Sequence, residues 1–217
     1  MTNSSPETRP RAAAVGPLAD WILRGRPEIV LASRSSRRRE MLELLGIPVR
    51  VVAAVAEERF PEGIAPDEGA RRNAVAKATA ARKAGARGLL LAADTAVVVG
   101  PRVFGKPRDE ADARAMLSML AGRAHLVVTG IALVDEEGTL LSGAESTEVE
   151  FRQLAPGEID EYVASGEPFD KAGAYAIQGL GALLVRGIRG DYTNVVGLPV
   201  GRLLDLARRL PRRSVDR

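Results

Sequence analysis

Apolar residues along this chain come either in short runs or at intervals of three and four, and these two periods assign its elements. "EIVLAS" (28–33) is a continuous apolar run and reads as a buried strand; "PVRVVAAV" (48–55) is strand-like again. Between them "RRREMLELLG" (37–46) predicts a helix with Met41, Leu42, Leu44 and Leu45 on its apolar side and Gly46 as its stop. Ala-rich "PDEGARRNAVAKATAARKAG" (66–85) is a second helix. "DEADARAMLSMLAG" (109–122) is a third, with Ala113, Met116, Leu117 and Leu120 on one face. "GLLLAADTAVVVG" (88–100) holds two apolar runs split by a polar pair, which places Asp94 at a strand end, where α/β sheets tend to hold ligands. "AHLVVTGIALVD" (124–135) is a strand, and the alternation in "STEVEFRQL" (146–154) predicts a half-exposed one. "PGEIDEYVASG" (156–166) and "LPVGRLLDLARRL" (198–210) read as helices begun by proline. The order predicts a mixed α/β fold whose sheet carries both parallel and antiparallel strands.

The two ends read differently. Residues 1–27 form an extension in which "MTNSSPETRPR" is polar and disordered, while "PLADWILRG" makes a short helical turn that packs Trp21. Residues 207–217 hold five Arg and one Asp, a charge of +4 against +3 for the whole chain, so everything before them sums to −1. The pI of 9.6 therefore reflects a basic tail, most of it in 210–217, that reads as a solvated end. Nucleic acid is accordingly not an expected partner.

The 217 residues suit one large α/β domain or two small lobes sharing a cleft. With no cysteine and a single histidine, His125, disulfides, thiolate sites and multi-histidine metal sites are excluded. No apolar run approaches the ~20 residues of a membrane span. Gly16, Pro17 and Asp20 interrupt any signal-peptide core, so a cytoplasmic location is expected.

Candidate chemistry begins at "LASRSSRRRE" (31–40), where a strand passes through a Ser-rich turn into a helix. Three arginines in a first helical turn oppose the helix dipole, so something negative is expected there. Ser33, Ser35 and free backbone N–H groups, with Arg37 and Arg38 able to grip phosphate oxygens in a bidentate way, make an anion cradle. The alternative is a capped helix whose arginines pair with Glu40 or Glu43. Asp94, set between apolar runs, is costly to bury unless paired or metal-bound; its alternative is an Asp–Thr turn. Of 31 basic residues only Lys77, Lys83, Lys106 and Lys171 are lysine, leaving 27 arginines. A lysine retained in such a chain marks a position that needs a compact ammonium; Lys83, in a plain Ala/Arg context, is attributed to chance. Glu57 or Glu58 could join Asp94 around a hard divalent cation. Gln178, an amide in a Gly-rich segment, suits a base edge or a turn. Together these groups favour a phosphate ester or anhydride as ligand.

The segments "LASRSSRRREMLELLG", "AADTAVVVGPRVFGKPRDEADARAMLSMLAGRAH", "YVASGEPFDKAGAYAIQGLGALLV" and "GDYTNVVGLP" resemble, in that order, the Maf family of nucleoside triphosphate pyrophosphatases over about 28–209. The resemblance implies an elongated α/β fold related to inosine triphosphatases, with two lobes of a mixed sheet flanked by helices and the active site in the central cleft. It implies cleavage between the α and β phosphates with Mg²⁺ or Mn²⁺, clearance of non-standard nucleotides, a link to cell-division arrest, and pairing as homodimers. Asp94 corresponds to the catalytic proton acceptor and, with Glu57, to the metal site. Lys77 and Lys106 match further catalytic positions, and Ser33, Ser35, Arg37, Arg38, Thr95, Lys171 and Gln178 match substrate-binding ones. Arg37, Thr95 and Gln178 together resemble the branch acting on dTTP and UTP, as opposed to the one acting on 7-methyl-GTP. Ser36 replaces the family's proline, which implies a more mobile phosphate loop. A regulatory interaction protein of cell division is the competing reading from another class, and a phosphatase releasing orthophosphate is a third.

Overall fold

The structure is a computed structural model that describes residues 16–53 and 56–213. Among the described residues, seven strands form one mixed sheet: β1 (Ile29–Leu31), β2 (Val49–Val51), β3 (Leu89–Val99), β4 (Arg102–Phe104), β5 (Ala124–Val134), β6 (Leu140–Phe151) and β7 (Val185–Arg189). Their order is β2-β1-β3-β5-β6-β7, with β4 paired to β3 as well. β2, β1 and β3 run parallel; β3 with β4, β3 with β5, β5 with β6 and β6 with β7 pair antiparallel.

The two apolar runs around Asp94 are one strand. β3 is 11 residues long and pairs with β5 along most of its length, with Asp94 opposite Gly130 and Thr95 opposite Thr129. Its residues are apolar at both parities because both faces are covered. Leu90 and Ala92 face helix α3 (Pro66–Lys83), whereas Leu89, Leu91 and Ala93 face the cluster formed with helix α7 (Val200–Arg208), which follows the short helix α6 (Tyr192–Val196). Asp94 is thus mid-strand on the α3 face, and the expectation of a strand end is corrected: the polar pair interrupts the hydropathy without interrupting the ladder.

The cleft follows from how β3 is flanked. On one edge it pairs with β1 only through Leu91 and with β4 only from Val97. Residues 92–96 lie between those neighbours, and there the sheet opens. Gly130 brings α3 down onto this point. A Cβ on Gly130 would lie 2.2 Å from the Ala70 carbonyl carbon and oxygen, so only glycine lets the helix backbone sit so close.

A second core packs helices α4 (Glu110–Leu120) and α5 (Pro156–Ala164) around Phe104, Phe151 and Tyr175. Helix α2 (Ser36–Leu44) buries Leu42, but Leu44 is 87% exposed and Leu45 also faces solvent, so its apolar side is narrower than predicted. Helix α1 (Asp20–Leu23) packs Ile22 and Leu23 against α7 and leaves Trp21 53% exposed, the reverse of the expected anchor. This part of the extension belongs to the core; the polar 1–15 and the last tail residues, 214–217, lie outside the described residues. The tail is not simply solvated before that point. Arg212 pairs with Asp20, Arg213 pairs with Glu136, and the Arg213 N–H donates to the Arg24 carbonyl. No described helix is long and apolar enough to cross a membrane.

Candidate active site

A cleft of about 630 Å³ opens at the break in the β3 edge, lined by the 32–38 turn, Glu58, Lys77, Asp94, Thr95, Lys106 and Lys171. Its centre is built by helical spacing. Asn73 and Lys77 are four residues apart on α3, so they stack on one face above β3. The Lys77 Nζ donates to Asp94 Oδ1 at 2.6 Å, and the Asn73 Nδ2 donates to Asp94 Oδ2 at 2.9 Å. Asp94 is buried, and these two donors satisfy its carboxylate as such burial requires. Lys77 also donates to Glu58 Oε1 at 2.6 Å, so one ammonium bridges two carboxylates.

Glu58, not Glu57, is the acid delivered to this cluster. The Glu57 side chain is 69% exposed and pairs with Arg59. The residues alone allowed either and the resemblance pointed to Glu57; the loop instead turns the Glu58 side chain onto Lys77 and leaves Glu57 in solvent. Partial burial pushes the Glu58 carboxyl up, but the Lys77 ammonium, aided by Lys106 and Arg38, outweighs this and holds it below the ordinary range. Asn73 was not singled out from sequence. Its Oδ1 accepts the Arg59 N–H at 3.0 Å, so it ties the loop carrying Glu58 to the carboxylate on β3. A polar residue one turn before Lys77 on an Ala-rich helix is the signal that would have found it.

The three arginines of the first α2 turn have three fates. Arg37 reaches across the cleft mouth to Asp170 Oδ2 at 3.2 Å. Arg39 lies on the surface beside Glu43. Arg38 turns inward: its Nε donates to the Gly197 carbonyl (2.7 Å), Nη1 to Ser33 Oγ (3.0 Å) and Nη2 to Thr95 Oγ1 (2.9 Å). Burial lowers its pKa to about 10, an effect that Asp94 partly offsets. Three of its five N–H groups are therefore spent on the scaffold, which makes Arg38 a clamp on the cleft wall more than a free phosphate fork.

Thr95 belongs to the same scaffold. Its hydroxyl lies 2.9 Å from Thr129 Oγ1, and Thr129 in turn donates to the Asn194 carbonyl. Thr129 has spent its proton, so Thr95 donates to it while accepting from Arg38. Ser33 also accepts the Ser35 N–H. Lys106 lines the cleft without a hydrogen bond or ion pair among the described residues. The Lys171 Nζ donates to the Glu167 carbonyl (2.6 Å) and to Asp170 Oδ1. Gln178 is exposed just before a 3₁₀ turn (Gly179–Leu184) and is not among the cleft-lining residues. The structure therefore does not bring it to the other predicted residues.

No group of three or more His, Asp or Glu side chains that could cage a metal occurs among the described residues. Asp94 and Glu58 nevertheless present hard oxygen donors on either side of one ammonium. That donor set suits a divalent ion that completes its shell with substrate phosphates and water. Glu57 does not belong to it.

Known proteins resemble this chain over most of its length. A dTTP/UTP pyrophosphatase of Bacillus cereus (strain AH820) is 44% identical over 177 residues, 82% of this chain and 92% of that protein. One from Gloeobacter violaceus is 46% identical over 185 residues, covering 85% and 97%. A solved HAM1 protein from Coxiella burnetii is 25% identical with a TM-score of 0.43, covering 68% of this chain and 85% of that one. Residues 28–210 match the description "Maf-like protein", and the chain belongs to the Maf family.

Proposed function

We propose that this chain is a nucleoside triphosphate pyrophosphatase acting on dTTP and UTP, releasing the monophosphate and pyrophosphate. The observation that carries the reading is the centre of the cleft. A buried carboxylate, Asp94, is held by Lys77 and Asn73 in a cleft that Lys106, Arg37 and Lys171 also line from different elements. Such a cleft suits a ligand with several negative charges. The names of the relatives supply the base preference.

In this mechanism Lys106, Arg37 and Lys171 bind the phosphate chain and neutralise the charge that builds on the leaving pyrophosphate. Lys77 and Asn73 hold Asp94 in one orientation. A water oxygen bonds to the α-phosphorus, the bond from that phosphorus to the bridging oxygen breaks, and Asp94 takes the water proton. Mg²⁺ or Mn²⁺ held by Asp94 and Glu58 would screen the phosphates and lower the pKa of the water. We assign Arg37 to nucleotide selection from its place in the cleft, with Thr95 acting only through the wall it braces; Gln178 would join them only by moving. A cytoplasmic house-cleaning role fits this activity.

The test is a hydrolysis panel with Mg²⁺, Mn²⁺ or chelator, each nucleoside triphosphate in turn, and the products resolved. Monophosphate with pyrophosphate from dTTP and UTP, lost on chelation, is expected. Orthophosphate as first product, or equal turnover of purines, would contradict the reaction or the preference respectively.

A further inference from the structure

Asp170 is a carboxylate in a site built for anions. It lines the cleft mouth at the end of the 3₁₀ turn Glu167–Asp170, and its side chain is 64% exposed. Its Oδ2 lies 3.2 Å from Arg37 Nη1, and its Oδ1 accepts from Lys171 Nζ. These two cations come from different elements, one on α2 and one just after the 3₁₀ turn.

What Asp170 lacks is any tie to the scaffold. Several acidic residues that serve structure in this chain accept backbone N–H groups. Glu167 caps Leu180 and Gly181, Asp191 caps Thr193, and Asp109 caps Asp112. The Asp170 carboxylate accepts no backbone N–H among the described residues; its partners are Arg37 and Lys171 alone. Lys171, by contrast, is anchored independently through the Glu167 carbonyl, so its ammonium stays in place if Asp170 leaves.

We infer that Asp170 is an internal competitor for the cleft's phosphate-binding cations, occupying Arg37 and Lys171 until a polyphosphate displaces it. This rests on the pyrophosphatase reading for its biological meaning, but not for its test. An internal competitor lowers the apparent affinity for every anion by the fraction of protein in which the cations are engaged. Substrate, arriving with about four negative charges, overcomes it by reaching further cations. The monophosphate and pyrophosphate, once separated, each hold fewer of them, and Asp170 speeds their departure.

The experiment compares wild type with Asp170→Asn, an exposed and nearly isosteric change. Inorganic pyrophosphate and UMP binding are measured by calorimetry, and KM and product inhibition for dTTP are measured alongside. Tighter binding by roughly 2- to 5-fold is expected for both anions, with lower KM and stronger product inhibition, because one negative charge leaves the neighbourhood of the phosphates. Unchanged or weaker pyrophosphate and UMP binding would overturn the inference, since a carboxylate that ligates metal or orients Arg37 helps binding. If neither protein hydrolyses any nucleotide, the pyrophosphatase reading fails, while the calorimetry still decides what Asp170 does.

Discussion

Adjacent residues on β3 open onto opposite faces of the sheet, and the two faces are built on different principles. Above Asp94 the groups are charged: Lys77 bridges two carboxylates, and Lys106 stands with no partner among the described residues. Behind Thr95 they form a relay from Arg38 through Thr95 and Thr129 to the Asn194 carbonyl, most of it buried. The first face holds charge that a ligand can rearrange. The second fixes the wall against which that rearrangement happens. Its hydrogen bonds are nearly all spent, so it has little left to offer a substrate.

Changes on the charged face should cost activity before stability. Asp94→Asn should lower turnover of dTTP on the order of 10³-fold or more, with thermal unfolding little changed. Glu58→Gln should lower kcat/KM roughly 10- to 100-fold, whereas Glu57→Gln should stay within about twofold, because only Glu58 reaches Lys77. Equal effects of the two would place the acidic partner wrongly.

Changes on the scaffold face should do the opposite. Arg38→Lys cannot reach Gly197, Ser33 and Thr95 at once and should destabilise by about 2 kcal/mol in denaturant titrations. Arg37→Lys, at an exposed pair, should cost under about 1 kcal/mol while raising KM for dTTP. A matched stability loss in both variants would erase the distinction.

A further effect, outside both faces, is confined to a pH window. His125 Nε2 pairs with the Tyr175 hydroxyl at 2.7 Å in the second core, and burial lowers its pKa to about 4. The unfolded chain takes up this proton near pH 6.5, so below that value the unfolded state binds more protons. Stability from this group is complete above pH 6.5 and drains away as pH falls toward 4, by about 3 kcal/mol at most. The decline in Tm across that window should be shallower for His125→Gln than for wild type.

Much of the fold was legible because long periodic segments declare their period. The helices at 66–83, 110–120 and 156–164 fall where the apolar spacing placed them. The errors share one cause: hydropathy does not register what lies across the sheet. Asp94 and Thr95 looked like a strand end because nothing local shows that Gly130 and Thr129 pair with them. Leu44 and Trp21 looked buried because an apolar residue is ambiguous until its neighbours are known. Within the cleft, composition brought out Lys77, Lys106 and Lys171, since lysine is rare in this chain. It could not bring out Asn73 or Asp170, whose roles lie in contacts between segments distant in sequence. Nor could it tell Arg37 from Arg38, identical neighbours that a helical turn aims in different directions.

The most direct test of the charged face as a pyrophosphatase centre is dTTP hydrolysis in H₂¹⁸O, with the label followed by mass spectrometry. Attack at the α-phosphorus predicts dTMP carrying one ¹⁸O, unlabelled pyrophosphate, and neither product from Asp94→Asn. Label in pyrophosphate or orthophosphate, or full turnover by Asp94→Asn, would contradict the account.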